Sequence, residues 1–244
     1  MKLHSKRLHR ITGRYHLVAA LTAALLLAAT FATAAASDPN PGVLPINSKP
    51  YGRTYAEWSA AWWRFGIEHP VAGNPFVEGG AFAISGSVWG IAAPLGNPAT
   101  FTATVPVGKA LFLPATTIEC SSLEPADSGF HGDTAEEQAA CATYWANHIV
   151  NFSFEVDGVP VNNLASYRVV SPQFSFTAPD PNILGVAGGG AGTAVADGYY
   201  VMLAPLSKGV HTTRVRSTLR FSTADGDPFD LELVTDNVFL ITVE

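Results

Sequence analysis

Hydrophobic and polar residues alternate along most of the chain after residue 80. In the segment 151–156, the side chains of Phe152, Phe154 and Val156 alternate with polar ones. This two-residue period is typical of a strand with one buried face. Similar runs, separated by glycine and proline, occupy residues 100–105, 111–113, 159–161, 167–171, 174–177, 199–203, 210–221 and 229–243. The pattern predicts a mainly β protein of about nine to eleven short strands, arranged as an antiparallel β-sandwich or jelly roll.

Two segments depart from this period and carry the signature of a helix start. Thr54 and Glu57 form a Thr-x-x-Glu capping box, and apolar side chains follow at helical spacing. This helix is predicted to end near Glu68. A second capping box at residues 134–137 predicts a helix that runs toward His148. We expect both short helices to pack at the edge of the sandwich.

The N-terminal segment has the layout of a secretory signal peptide. A basic head is followed by an uncharged run over residues 17–36 that closes on three alanines. The alternative is a retained membrane anchor, since about 20 apolar residues can cross a bilayer. We predict a signal peptide at residues 1–36, an extended Pro-rich arm at 37–50 and a single β-sandwich domain at 51–244. The mature protein is expected to be secreted or periplasmic.

Charge narrows the range of partners. The whole chain has 14 Lys and Arg against 20 Asp and Glu, and five of the basic residues lie in the predicted signal peptide. Its removal would leave 9 basic against 20 acidic residues, a net charge of −11. Nucleic acids and anionic membrane surfaces attract basic proteins. We therefore expect no nucleic-acid partner, and no membrane association after signal cleavage.

The chain has two cysteines, Cys120 and Cys141. In an oxidising compartment an isolated pair usually forms a disulfide. The alternatives are two free thiols or a metal pair, and the second lacks further Cys or His residues at ligand spacing. The sequence therefore predicts a disulfide that ties the second helix to the strand ending near Cys120.

Trp63 is a candidate for ligand contact, because it lies off the helix face that carries the other aromatic residues. Aromatic rings stack on flat ligand faces such as sugar rings, but they also fill protein cores. A second candidate is a basic row of Arg214, Arg216 and Arg220 on one strand face. This row could bind an anionic glycan or could pair with the protein's own acidic residues.

His131 and Asp133 precede the second helix and could serve a pocket if their loop folds back toward the domain. The alternative is a solvated helix start, where carboxylates are favoured electrostatically. Three carboxylates at residues 225–230 resemble part of a calcium loop, but the further oxygen ligands and the distant Glu of that pattern are absent, so an exposed turn is favoured. We predict no catalytic residue, no metal site and no cofactor, because no motif specifies one.

The segment Tyr-Gly-Arg-Thr-Tyr-Ala-Glu-Trp at residues 51–58, followed by Trp62-Trp63, resembles an uncharacterised family of exported bacterial β-rich proteins. Residues 105–114, 119–121 and 205–212 are similar to that family as well. The resemblance implies a secreted β-rich domain with the two cysteines paired. It implies no activity.

These observations favour an exported, non-catalytic module that binds a glycan or a cell-envelope partner. One alternative is a secreted hydrolase with a histidine and carboxylate site, which a pocket holding His131 or His211 beside two carboxylates would favour. The other alternative is a structural subunit that assembles through exposed strand edges.

Overall fold

The computed structural model describes residues 40–94, 96 and 98–244. The predicted signal peptide at residues 1–36 and the first three residues of the Pro-rich arm lie outside the described residues. The rest of the arm contacts the domain. Val43 is buried and forms a bridge with Leu203, and the Leu44 amide donates a hydrogen bond to the Met202 carbonyl at 2.8 Å.

The described part of the chain forms two β-sheets. The first contains β1 (Gly80–Ala83), β2 (Val88–Ala92), β4 (Ala110–Ser121), β7 (Arg168–Val170), β8 (Phe174–Ala178) and β9 (Gly190–Leu203). The second contains β3 (Ala99–Val105), β5 (Ile149–Val156), β6 (Val159–Pro160), β10 (Gly209–Phe221) and β11 (Leu231–Val243). In the first sheet the strand order is β1-β2-β4-β9-β7, with β8 also paired to β9. In the second sheet the order is β3-β11-β10-β5-β6.

The predicted fold class, a mainly β sandwich with short helices, is confirmed. Most strand pairs are antiparallel, including the long pairs β10–β11 and β4–β9. The sheets are nevertheless mixed, because β2 pairs with β4 and β3 pairs with β11 in parallel. Between β2 and β4 the chain crosses to the other sheet to form β3, and it returns in its original direction.

The alternation along β10 places its apolar residues inside the sandwich. Val215, Ser217, Leu219 and Phe221 are buried, whereas the alternate residues Arg216, Thr218 and Arg220 are partly or fully exposed. The inner faces of the two sheets share one core, to which Phe112, Tyr200 and other large side chains contribute. Removal of these apolar side chains from water is the main way in which the alternating pattern stabilises the folded state.

Three α-helices lie within the described residues: α1 (Tyr55–Glu68), α2 (Pro75–Glu78) and α3 (Ala135–Ala146). Both predicted capping boxes are present, since Thr54 and Thr134 each exchange hydrogen bonds with the glutamate three residues later. The short helix α2 was not predicted, and it is capped by the Asn74 side chain. Helix α1 packs on the first sheet through buried tryptophans, among them Trp58 and Trp62.

The predicted disulfide is confirmed. Cys120 in β4 is bonded to Cys141 in α3, with a distance of 6.1 Å between their Cα atoms. In the chain-entropy model a loop of this size contributes about 3 kcal/mol to stability. The bond fixes α3 to the C-terminal end of β4.

Within the described residues, no helix combines the length and the apolar character needed to cross a membrane.

Candidate functional site

The strand β4 is paired with β2 only over the first three of its twelve residues. Strand β2 pairs with it only from Val88 opposite Ala110 to Gly90 opposite Phe112. Beyond this point β4 is paired with β9 alone among the described strands. The stretch 113–119 on this side lines a cavity of about 410 Å³. This volume lies in the range of about 300–1,000 Å³ that is usual for small-molecule sites.

The open edge of β4 contains Pro114, next to a β-bulge at residues 114–116. Proline cannot donate a ladder hydrogen bond, so it is confined to edges and bulges of sheets. Opposite the bulge, Gly198 of β9 lies so close that a Cβ atom there would be 2.5 Å from the Thr116 carbonyl oxygen. Pro114 and Thr116 both line the cavity.

The cavity walls are mostly apolar and come from both sheets and from α1 and α2. The apolar and aromatic wall residues are Trp62, Trp63, Phe76, Val77, Ile91, Ala92, Ala93, Pro94, Leu113, Ala115, Ile118, Phe130, Ile183, Leu184, Val215 and Phe239. Such walls favour a ligand that has an apolar body.

Trp63 is a fixed part of this wall. Its side chain is half-buried, and its Nε1 donates hydrogen bonds to Thr117 Oγ1 at 3.1 Å and to the Tyr200 hydroxyl at 3.2 Å. Thr117 and Tyr200 are hydrogen-bonded to each other as well. Burial raises the pKa of Tyr200 far above its ordinary value, so this hydroxyl stays neutral. The structure thus places Trp63 at the cavity, and its contact with a ligand stays a prediction.

Two glutamates also line the cavity. Glu119, near the end of β4, is only 5% exposed, and its Oε1 has no hydrogen-bond partner among the described residues. Glu124 follows β4, and its Oε2 accepts hydrogen bonds from the Ser121 amide at 3.2 Å and the Ser121 hydroxyl at 3.1 Å. Burial opposes the ionisation of both carboxyl groups, whereas the hydrogen bonds from Ser121 favour the ionised form of Glu124.

The two carboxyl groups differ in their titration. Burial, followed by the charge of Glu124, holds the pKa of Glu119 well above its usual value. Burial also raises the pKa of Glu124 to about 7, although the Ser121 hydroxyl and amide and the nearby His131 oppose the increase. Burial therefore favours the protonated form of Glu119, and Glu124 carries a partial negative charge at neutral pH.

The second sheet contributes further polar atoms. Asn237 in β11 is 5% exposed, and its Oδ1 has no hydrogen-bond partner within the part of the chain that the structure describes. Thr235 Oγ1 accepts a hydrogen bond from the Gly96 amide at 3.4 Å. No lysine, arginine or histidine is among the described residues that line the cavity. The site is therefore rich in hydrogen-bond acceptors and lacks a basic group.

His131 and Asp133 lie together beside this site but outside its lining. The loop after β4 folds back, since the Gly132 amide donates to the Ser121 carbonyl at 3.1 Å. His131 Nδ1 contacts the Glu124 carbonyl oxygen, and His131 Nε2 lies 3.2 Å from Asp133 Oδ1. The histidine thus holds the loop that carries Glu124.

The arginine row lies on the outer face of the second sheet, away from the cavity. Arg214 forms two hydrogen bonds with Asp236, at 2.7 and 2.6 Å. Arg216 pairs with Glu155 at 3.0 Å, and Arg220 lies 3.5 Å from an exposed aspartate at position 225. Each guanidinium therefore has an acidic neighbour in the protein, and the binding of an anionic ligand here stays a prediction.

The structure reveals a Ser-His-Asp arrangement that the sequence did not indicate. The Ser207 hydroxyl lies 3.2 Å from His211 Nε2, and His211 Nδ1 lies 2.8 Å from Asp157 Oδ2. However, Nε2 is also 2.9 Å from the Ser207 carbonyl oxygen, so both ring nitrogens face acceptors. The hydrogen bond to Asp157, and then the Ser207 carbonyl, raise the pKa of His211 despite partial burial. This geometry favours a charged imidazolium rather than a general base.

The carboxylates at residues 225–230 are engaged within their own turn. Asp227 accepts from the Ser222 amide at 2.7 Å and lies 2.9 Å from His148 Nε2. Asp230 accepts from the Thr223 amide at 2.7 Å. In the described ranges no group of three or more His, Cys, Asp and Glu side chains is placed to hold a metal ion.

Sequence reasoning did not identify Glu119, Glu124 or Asn237 as site residues. Glu119 entered only as part of the resemblance over residues 119–121. One signal was present, because Glu119 stands in a strand whose residues 110–121 are almost all buried. A charged residue at such a position is rarely fully buried without a specific reason.

Comparison with known proteins adds little. No family model matches the chain, and no curated protein matches it. The solution structure of Amebosin is similar over 60% of this chain and 96% of its own chain, at 10% sequence identity and a TM-score of 0.13. A similarity at this level carries no argument about fold or function.

Proposed function

We propose that this protein is an exported, non-catalytic binding module that holds a small ligand in the cavity beside β4. The ligand has an apolar body and at least one hydrogen-bond donor. The observation that carries the proposal is a pair of buried oxygens in the lining of one cavity, Glu119 Oε1 and Asn237 Oδ1, that have no partner among the described residues. Buried polar atoms in native proteins nearly always have a partner.

The energetics support a ligand with this chemistry. Each buried acceptor without a partner costs about 1–3 kcal/mol, and a donor supplied by a ligand would recover much of this cost. The apolar walls would contribute about 25 cal/mol for each Å² of ligand surface removed from water. A cell-envelope component with an apolar group would meet both requirements. An unmodified glycan would place hydroxyl groups against the apolar walls and is supported less well.

The hydrolase alternative has weaker support. Neither His131 nor His211 is in the cavity lining, and the ring nitrogens of both face acceptors. The two glutamates alone are compatible with acid-base chemistry, but a binding role accounts for them without a reaction. Export is supported by the layout of the N-terminal sequence and by the disulfide.

The proposal can be tested with N-phenyl-1-naphthylamine, an apolar fluorescent probe that carries one N–H donor. We expect its fluorescence to rise and saturate with the wild-type protein. Ala93 lines the cavity and is partly buried, so Ala93→Phe should fill part of the cavity and weaken binding roughly tenfold. Ala126 is exposed and outside the lining, so Ala126→Phe is the matched control and should bind normally.

Circular dichroism and thermal unfolding would show whether each variant is folded. If Ala93→Phe does not fold, Leu184→Trp places a large side chain in the cavity from a loop instead. Absence of saturable binding to the wild-type protein, or equal binding by the cavity and control variants, would refute the proposal.

A further inference from the structure

We infer that the hydrogen-bond donor of the ligand is a protonated amine, recognised by the carboxyl groups of Glu119 and Glu124 and by the Asn237 carbonyl oxygen. This inference rests on the proposed function, because it specifies the head group of the ligand in the same cavity. It adds a positive charge to that donor, whereas the proposed function requires only an apolar body and a donor.

The first argument is the balance of donors and acceptors. Two buried side-chain atoms of this lining lack a partner among the described residues. Asn237 Oδ1 is always an acceptor, and Glu119 Oε1 becomes one when the charge of a bound ammonium group favours the carboxylate form. The lining contains two acidic groups and, over the described residues, no basic one. A carboxylate or phosphate on the ligand would therefore meet negative charge without a counterion. An ammonium group provides up to three donors and the opposite charge.

The second argument is the aromatic wall. Trp62 and Phe76 have ring centroids 4.0 Å apart, and Trp63 lies 5.3 Å from Trp62 in an edge-on arrangement. Rings of this kind attract cations that approach their faces. A neutral alcohol would gain nothing from this attraction, whereas an ammonium group would.

The third argument is that ligand binding would be linked to protons. Glu124 is the carboxyl group whose charge changes near neutral pH. The titratable groups around it are Glu119 on β4, His131 on the returning loop, Asp133 beside that histidine, and Glu137 in the first turn of α3. An ammonium next to Glu124 favours the carboxylate, so binding releases protons and strengthens as the pH rises.

A matched pair of probes separates the two ideas. We would measure the affinities of 1-naphthylmethylamine and 1-naphthalenemethanol by titration calorimetry. The two probes have the same apolar body and nearly the same size, but only the first is charged. At about pH 8 we expect the amine to bind roughly tenfold more tightly than the alcohol, because hydrogen bonds to charged groups are the stronger ones. At about pH 5.5, where Glu124 is protonated, the preference should fall to roughly twofold or less.

The variant Glu124→Gln keeps the shape and removes the charge, so it should lose the preference for the amine at about pH 8. Asp127→Asn neutralises an exposed carboxylate of the same loop and should keep the preference. If Glu124→Gln does not fold, the pH series on the wild-type protein still tests the inference.

The outcomes are distinct. If both probes bind equally well to the wild-type protein, the inference is wrong and the proposed function stands. If the amine preference persists in both Glu124→Gln and Glu119→Gln, the carboxyl groups are not its source and the inference is likewise wrong. If neither probe binds, the proposed function itself fails.

Discussion

Replacement of Glu124 by glutamine should stabilise the protein at neutral pH. Burial raises the pKa of this carboxyl from its ordinary value of 4.5 to about 7. A pKa difference of one unit between the folded and unfolded states corresponds to about 1.4 kcal/mol. At pH 7 the raised pKa of Glu124 therefore lowers the free energy of unfolding by up to about 3 kcal/mol. The amide of glutamine carries no charge and avoids this cost, and its oxygen can still accept from Ser121.

The two pKa values determine whether the free energy of unfolding rises or falls with pH. The unfolded carboxyl loses its proton near pH 4.5 and the folded carboxyl near pH 7. Between these values the folded protein binds more protons than the unfolded chain. The free energy of unfolding should therefore be highest below about pH 4.5 with respect to this group, and it should fall as the pH rises to about 7.

Urea denaturation followed by tryptophan fluorescence would measure this effect. We expect Glu124→Gln to exceed the wild-type protein by about 2–3 kcal/mol at about pH 7.5 and to approach it at about pH 4.5. The difference between the two proteins cancels titrations elsewhere, including that of His211. Asp127→Asn should follow the wild-type curve. A wild-type curve parallel to that of Glu124→Gln across this range would show that Glu124 titrates normally, and the argument for its burial would fail.

Two further predictions concern ion pairs outside the cavity. Arg168 donates two hydrogen bonds to Asp197, whose side chain is 1% exposed, so Arg168→Ala should cost about 3–5 kcal/mol in urea unfolding by leaving a buried charge unpaired. The exposed Arg220 is the comparison, and Arg220→Ala should change stability by less than about 1 kcal/mol. The pKa of His211 is raised through Asp157, so its stabilisation is complete below about pH 6.5 and is lost as the pH rises through the raised value. His211→Asn should therefore lower the melting temperature more at about pH 6 than at about pH 9, and an equal decrease at both values would contradict the ion pair.

The elements of the fold could be predicted wherever local pattern decides them. The two capping boxes specify helix starts because Thr54 and Thr134 satisfy backbone amides within their own first turn. The alternation along residues 151–156 and 210–221 specifies strands with one buried face. The parallel pairing of β2 with β4 could not be predicted, since it depends on which sheet the intervening strand joins. That choice is made by contacts between distant segments.

The cavity could be predicted only in part. Trp63 was named as a candidate for ligand contact, whereas the return of the loop that carries His131 was stated only as a condition for a pocket. Glu124 stands in a stretch that is typical of an exposed turn, between two serines and a proline. It is partly buried because that loop packs against the end of β4. Asn237 lies in a strand on the opposite sheet. Nothing in the local sequence indicates that these two side chains face one space.

The open edge of β4 has a consequence for solubility. A strand edge that lacks a neighbour is a template on which other chains can polymerise into fibrils. Here Pro114 interrupts the row of amide groups, and Trp63 and Phe76 cover the stretch from the side. The proline and the two aromatic rings thus oppose edge-to-edge pairing of β4 with a second copy of the chain, although this stretch of the strand has no neighbour on the cavity side.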